Sequence, residues 1–200
     1  NKNDLTYEKL EKLKPDYIFF THWSHIIPEK IYLDYECIIF HMTDLPYGRG
    51  GTPLQNLISE GKNETKITAF KCNNIIDGGP IYLKKRLSLY GSAEEIYIRA
   101  TTIISKMVIE ILKKNISPKD QVGKIVNFVR RTPEDSDLKN IKSIENLFNK
   151  IRMLDADGYP KAFLHIGDFK LEFSRISRKT DYLVADVKIT EGKNEINGNQ

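Results

Sequence analysis

DYIFFTHWSHIIPEKIYLDYECIIFH, residues 16–41, decides the fold. Two unbroken apolar runs, DYIFFT (16–21) and ECIIFH (36–41), have the length and aromatic, β-branched character of strands buried on both faces. Between them Pro28 opens a short helical turn through Tyr32. Two buried strands joined by a helical crossover form a parallel β-α-β unit, which needs helices on both faces. Just upstream, Leu5, Tyr7, Leu10 and Leu13 follow Asp4 as a short amphipathic helix stopped by Pro15. A doubly wound domain normally opens with a strand and helix before such a segment. We therefore expect an N-terminal strand and helix to be absent from this sequence, which starts at Asn1 rather than Met.

Downstream, residues 43–52 (TDLPYGRGGT) form a Gly- and Pro-rich loop, and Pro53 opens a helix that Gly61 ends. Residues 65–73 and 81–89 alternate as strands, joined by a turn at NIIDGGP, 74–80. From Ala93 to Lys114 the apolar residues fall in one wide stripe of a long helix. The composition then shifts. Residues 141–153 are again an amphipathic helix, and 159–167, 168–176 and 182–189 read as three antiparallel strands with a hairpin tip at Gly167-Asp168. The expected division is a catalytic domain over 1–120, a helix and β subdomain over 121–190, and a polar, disordered tail over 191–200.

The chain has 200 residues, 40% hydrophobic and 29% charged. That balance excludes collagen-like, wholly disordered and membrane-spanning classes, and the longest apolar runs fall far short of the roughly 20 residues a bilayer requires. A net charge of +4 from 31 basic and 27 acidic residues is too weak to argue for nucleic acid. Cys37 and Cys72 lie in apolar strand-like runs and read as free buried thiols. That points to a reducing, cytoplasmic compartment.

His41 ends a buried strand just before the Gly-rich loop, at the edge where open α/β sheets bind ligands. Asp77 sits in a turn followed by two glycines, which permit close approach. A carboxylate beside an imidazole makes an acid/base pair. The plainer readings are a core-boundary histidine and a turn-forming Asp-Gly. His22, His25 and His41 lack the carboxylate or cysteine a metal site would add. Ser24 with His41 and Asp77 lacks the nucleophile elbow of a hydrolase. The Gly48–Gly51 loop could hold a phosphate on its backbone N–H groups ahead of the helix at Pro53 but matches neither the Walker nor the dinucleotide pattern, and Arg130-Arg131 reads first as a solvated pair with a phosphate role as the alternative.

FHMTDLPYGRGGTPLQNLISEGKNETKITAFKCNNIIDGGPIY, residues 40–82, resembles the signature stretch of the formyltransferases that use 10-formyl-tetrahydrofolate. His41, Leu45, Pro46, Arg49, Gly50, Pro53, Asp77, Gly79 and Ile81 fall in the family's register. RRTPEDS, 130–136, resembles the sugar-modifying members. The resemblance implies a Rossmann-like parallel sheet with a small C-terminal helix plus antiparallel β appendage, and formyl transfer from the folate to a primary amine without a metal. It implies that His41 polarises the formyl carbonyl while Asp77 orients His41 and helps remove the amine proton. It places the folate among Trp23, Ser24, His25, Ile26, Asp44, Leu45, Pro46, Asn73 and Asn74. It places the acceptor substrate among Arg49, Gly50, Gly51, Thr52 and Arg130.

Ile39 departs from the family, which has an Asn donor to the developing oxyanion there; losing such a donor costs about a hundredfold to a thousandfold. His22, Thr43, Asn73 and Asn74 are the candidate substitutes, with Thr43 taken as catalytic. THWSHIIP (21–28) and the loop together resemble most the members acting on nucleotide-linked amino sugars of the pseudaminic-acid type. The expected acceptor is therefore a nucleotide sugar. Methionyl-tRNA is the alternative, disfavoured by an appendage that is short and nearly neutral in charge, which also argues against nucleic acid as a partner. A non-catalytic folate- or nucleotide-binding remnant is the third reading. No membrane partner is expected, and the β appendage is a candidate homodimer surface.

Overall fold

The computed structural model describes residues 2–191; the tail expected to be disordered lies, beyond Glu191, outside the described residues. Helix α1 (Tyr7–Leu13) is capped by the Thr6 hydroxyl, which accepts from Lys9 N, and ends where Lys14 turns left-handed. Strand β1 (Tyr17–Phe20), helix α2 (Glu29–Asp34) and strand β2 (Glu36–His41) form the expected parallel unit, with Tyr17 opposite Glu36 and Phe20 opposite Ile39. Alternation along β2 sends Ile38 and Phe40 to one side and Cys37, Ile39 and His41 to the other. The first side packs under helix α3 (Pro53–Ser59) and helix α4 (Ala93–Lys114), on Leu54, Ile58, Ile96, Ala100 and Met107. The second side meets a smaller cluster of Leu10, Phe20, Ile27, Ile31 and Cys72. Both faces are thus covered, as the unbroken apolar runs require.

Beyond β2 the sheet stops being parallel. Strand β4 (Glu64–Lys71) pairs antiparallel with β2, and strand β5 (Ile81–Ser88) antiparallel with β4, in the order β1-β2-β4-β5. The parallel pairing expected from residues 16–41 therefore holds for one step of this sheet. Residues 42–63, with strand β3 (Tyr47–Gly50) and α3, end at the same end of the sheet as β2, so β4 runs back along β2 with Thr68 opposite His41 and Lys71 opposite Ile38. A second parallel pair joins β3, within the Gly- and Pro-rich stretch 43–52, to strand β6 (Val126–Phe128).

Helix α5 (Ile144–Arg152) precedes strands β7 (Ala162–Ile166), β8 (Phe169–Arg178) and β9 (Leu183–Glu191), an antiparallel sheet. Leu138, Ile151, Met153, Leu154 and Ala162 join the same hydrophobic cluster as α3 and α4, so the core runs across the boundary read at residue 120. Polar ties follow it. Arg152, buried, donates to Leu89 O and Gly91 O, Gln55 donates to Met153 O, and the Tyr97 and Tyr159 hydroxyls lie 2.7 Å apart. At the distal end of this sheet Ile166, Phe169, Val187 and Ile189 share one face and stay 59%, 47%, 44% and 62% exposed. Among the described residues no helix is long and apolar enough to cross a membrane.

Candidate active site

His41 is the last residue of β2 and is buried. Its Nε2 lies 2.7 Å from the Gly48 carbonyl oxygen. A carbonyl only accepts, so Nε2 carries the proton and the neutral ring keeps its lone pair on Nδ1. Nδ1 faces Asp77 Oδ2 at 3.7 Å, beyond a direct hydrogen bond but inside ion-pair range. The same Oδ2 accepts from Gly50 N at 2.8 Å. Strand β3 therefore holds both partners, with Gly48 O fixing the imidazole and Gly50 N fixing the carboxylate. A proton taken at Nδ1 would create an imidazolium stabilised by Asp77, which is the property a general base needs.

The turn carrying Asp77 starts opposite Cys37, near the beginning of β2, yet Asp77 reaches His41 four residues farther along. The segment therefore folds back over the face that bears Ile39. Asp77 itself is left-handed, with φ +50°, a conformation that costs a non-Gly residue roughly 1–2 kcal/mol. Gly79 is required by close approach, because a Cβ there would sit 1.7 Å from Lys71 O. The glycines of the 48–51 loop have a similar cause. A Cβ on Gly50 would lie 2.5 Å from Phe128 O, and one on Gly51 would lie 2.6 Å from Arg130 Cβ. The space that the glycines leave beside this loop is filled by β6 and the residues after it.

The structure distributes the other expected site residues unevenly. Thr43 is wholly buried and its hydroxyl is turned to Gly48 O at 3.3 Å. His22, left-handed at φ +52°, lies 3.2 Å from the Thr101 hydroxyl and packs edge-on against Tyr97. Burial holds its pKa below the ordinary histidine value. Two of the four candidate substitutes for the missing Asn are thus committed elsewhere. Asn74 is exposed. Asn73, half-buried, spends its Oδ1 on Ile75 N and leaves its amide N–H groups without a partner among the described residues.

Leu45 and Pro46 are buried, while Asp44 is drawn to Lys66 and Lys84 at 2.9 and 2.5 Å. Those lysines hold its carboxyl below the usual range although burial alone would raise it. Trp23 is half-buried against Phe20 and His25, its indole N–H buried without a partner among the described residues; Ser24, His25 and Ile26 are exposed. Arg49 gives two hydrogen bonds to Gln121 Oε1, and Thr52 accepts from Arg131 N and Asn56 Nδ2. Arg130 is exposed beside Gly51.

Two residues escaped the sequence reading. Thr68, fully buried on β4, donates to Thr43 O at 2.7 Å and accepts from Leu45 N, fixing the loop after His41. Its place opposite His41 follows only from the antiparallel register. Gln121 sits in a stretch without periodicity, and nothing local marks it. Among the described residues no group of three or more His, Cys, Asp or Glu could hold a metal.

Residues 2–112 match the model of the formyl transferase family, and 133–190 match that of the methionyl-tRNA formyltransferase C-terminal domain. The chain belongs to the formyl transferase family. Its relatives include the methionyl-tRNA formyltransferase of Kosmotoga olearia, 28% identical over 83% of this chain and 56% of that protein. The first such relatives are spanned over roughly half to two thirds of their length. A solved structure named methionyl-tRNA formyltransferase from Clostridium thermocellum is 50% identical, with TM-score 0.93 over 96% of this chain and 85% of that one. Two more distant structures share the fold. HypX of Aquifex aeolicus, solved with tetrahydrofolic acid, has 16% identity and TM-score 0.73 over 89% of this chain and 32% of that one. A 4-N formyltransferase from Francisella tularensis has 16% identity and TM-score 0.65 over 82% and 72%.

Proposed function

We propose that this chain is the catalytic part of an enzyme that moves a formyl group from 10-formyl-tetrahydrofolate to a primary amine, and that the amine is the methionyl group of a charged tRNA. The observation that carries the reading is the clamped pair, His41 with Nε2–H spent on Gly48 and Nδ1 turned to Asp77. Nδ1 accepts the proton an attacking amine must lose, and Asp77 stabilises the cation formed. The residues suit a flat, partly apolar donor. Ile26, Ile75 and Ile76 are 85%, 53% and 68% exposed on the two loops assigned to it, and the Trp23 indole N–H is buried unpaired among the described residues. The donor would supply the electrophilic formyl carbon. Ile39 presents no hydrogen-bond donor to the oxygen on which charge develops.

The acceptor rests on the names of the relatives, including the structure at 50% identity. This displaces the amino-sugar acceptor as the first reading. A nucleotide-linked amino sugar remains the second, supported by the nearly neutral charge of the region after Gln121 and by Arg130 beside the 48–51 loop.

The test is formyl transfer by the full-length protein, offered methionyl-tRNA and, separately, a nucleotide-linked amino sugar. The expected result is formylated methionyl-tRNA, lost by roughly a thousandfold in Asp77→Asn. Turnover of the sugar alone would install the second reading, and no turnover of either would leave a non-catalytic folate-binding protein.

A further inference from the structure

Gln121 lies outside every residue so far given a role, yet its amide is fully used. Nε2 donates to Asp77 O at 2.8 Å and to Gly79 O at 2.9 Å. Oε1 accepts from Arg49 Nε at 3.2 Å and from a terminal guanidinium nitrogen at 2.7 Å. Two carbonyls on one side and a guanidinium on the other fix which end is nitrogen, because the flipped amide would set donor against donor.

The two sides are the two halves of the site. Arg49 belongs to β3, whose Gly48 O holds His41 and whose Gly50 N holds Asp77. The carbonyls belong to the left-handed turn that presents the Asp77 carboxylate. Such a backbone persists where its surroundings over-determine it. On the formyl-transfer reading, we propose that Gln121 is the positioning residue that fixes the separation of Asp77 from His41. It acts through the turn and touches no reacting atom. The charged and titratable groups around the pair are Asp77 itself, the Cys72 thiol beside it and the Arg49 guanidinium beyond the amide.

Two variants separate this role from a plain structural staple. Gln121→Glu keeps the acceptor for Arg49 but sets an oxygen against two carbonyls. Gln121→Met keeps the volume and loses every bond. The full-length protein is expected to lose roughly a hundredfold in kcat in both, with KM for either substrate unchanged and the pH profile of kcat displaced. A second readout needs neither folate nor acceptor. The His41 imidazole titration, followed by NMR, should move in both variants while those of His22, His25 and His165 stay in place. An unmoved His41 titration in a folded variant overturns the proposal. Should neither variant fold, the wild-type protein decides: the Gln121 side-chain amide protons should shift with the His41 midpoint, and a flat response overturns it. Failure of formyl transfer in the wild type would sink the functional reading and leave the titration to judge Gln121 separately.

Discussion

The four-stranded sheet and the C-terminal three-stranded sheet use the same kind of chain in opposite ways. The first is covered on both faces, and its buried polar groups His41, Thr43 and Thr68 all carry assigned partners. The second is covered only toward α5 and the shared core. Toward its distal end the same face that carries Ala162 and Phe173 into the core leaves four apolar side chains open, and the sheet's near-surface charges pair locally, as Lys170 does with Glu172. Substitution should therefore be costly in the first sheet and cheap at the distal end of the second. Fixed geometry is available only where the chain is held from both sides.

The largest test is Phe70→Ala in β4, a residue 1% exposed and paired with Ile39 and Ile81. It should cost about 3–5 kcal/mol in denaturant unfolding, and a loss below about 1 kcal/mol would break the comparison. Next comes Asn73→Ala. If the free amide of Asn73 stands in for the missing Asn at Ile39, turnover of the full-length enzyme should fall about a hundredfold at constant KM. An unchanged rate would pass the question to Ile39→Asn, which should then accelerate the enzyme.

The two thiols come third. Burial, with Cys72 and Glu36 adding to it, pushes Cys37 up to about 12, and burial with the Asp77 carboxylate pushes Cys72 to about 11. Both stay protonated in the fold as pH rises past the ordinary thiol range, while the unfolded chain ionises. Alkylation at pH 8 should thus run at least about a hundredfold slower in the native protein than in denaturant. Comparable rates would show that the second face of β2 is open. The smallest effect is expected from Ile189→Ser, under about 0.5 kcal/mol. A larger loss that grows with protein concentration would mean that a second copy covers this face.

Much of this contrast is legible in the residues. The runs at 16–21 and 36–41 announce a doubly covered sheet, the stripe in Ala93–Lys114 matches α4, and the three final strands appear where alternation places them. His41 and Asp77 stand out because an end-of-strand histidine and a Gly-Gly turn are local signals. What escaped depends on distant partners. Strand β6 is three residues long, too short for any period, and exists because β3 pairs with it. The antiparallel turn of the sheet shows only in the pairing of β4 with β2, where Thr68 comes opposite His41. Gln121 acquires its role only when Arg49 and the Asp77 turn are brought to either side of it.

The stacked pair of Tyr97 and Tyr159, 5.7 Å between ring centres, has a further consequence. Together with buried Arg152 and the shared apolar core it fastens the α5 region to α4, so the site has no autonomous scaffold. Heat should melt the two family segments in one cooperative transition, with calorimetric and van't Hoff enthalpies agreeing. Cutting the gene at residue 120 would take Leu138, Ile151, Met153, Leu154 and Ala162 out of the shared cluster and leave Gln55 and Tyr97 without Met153 and Tyr159, and the excised half should aggregate before it can be assayed.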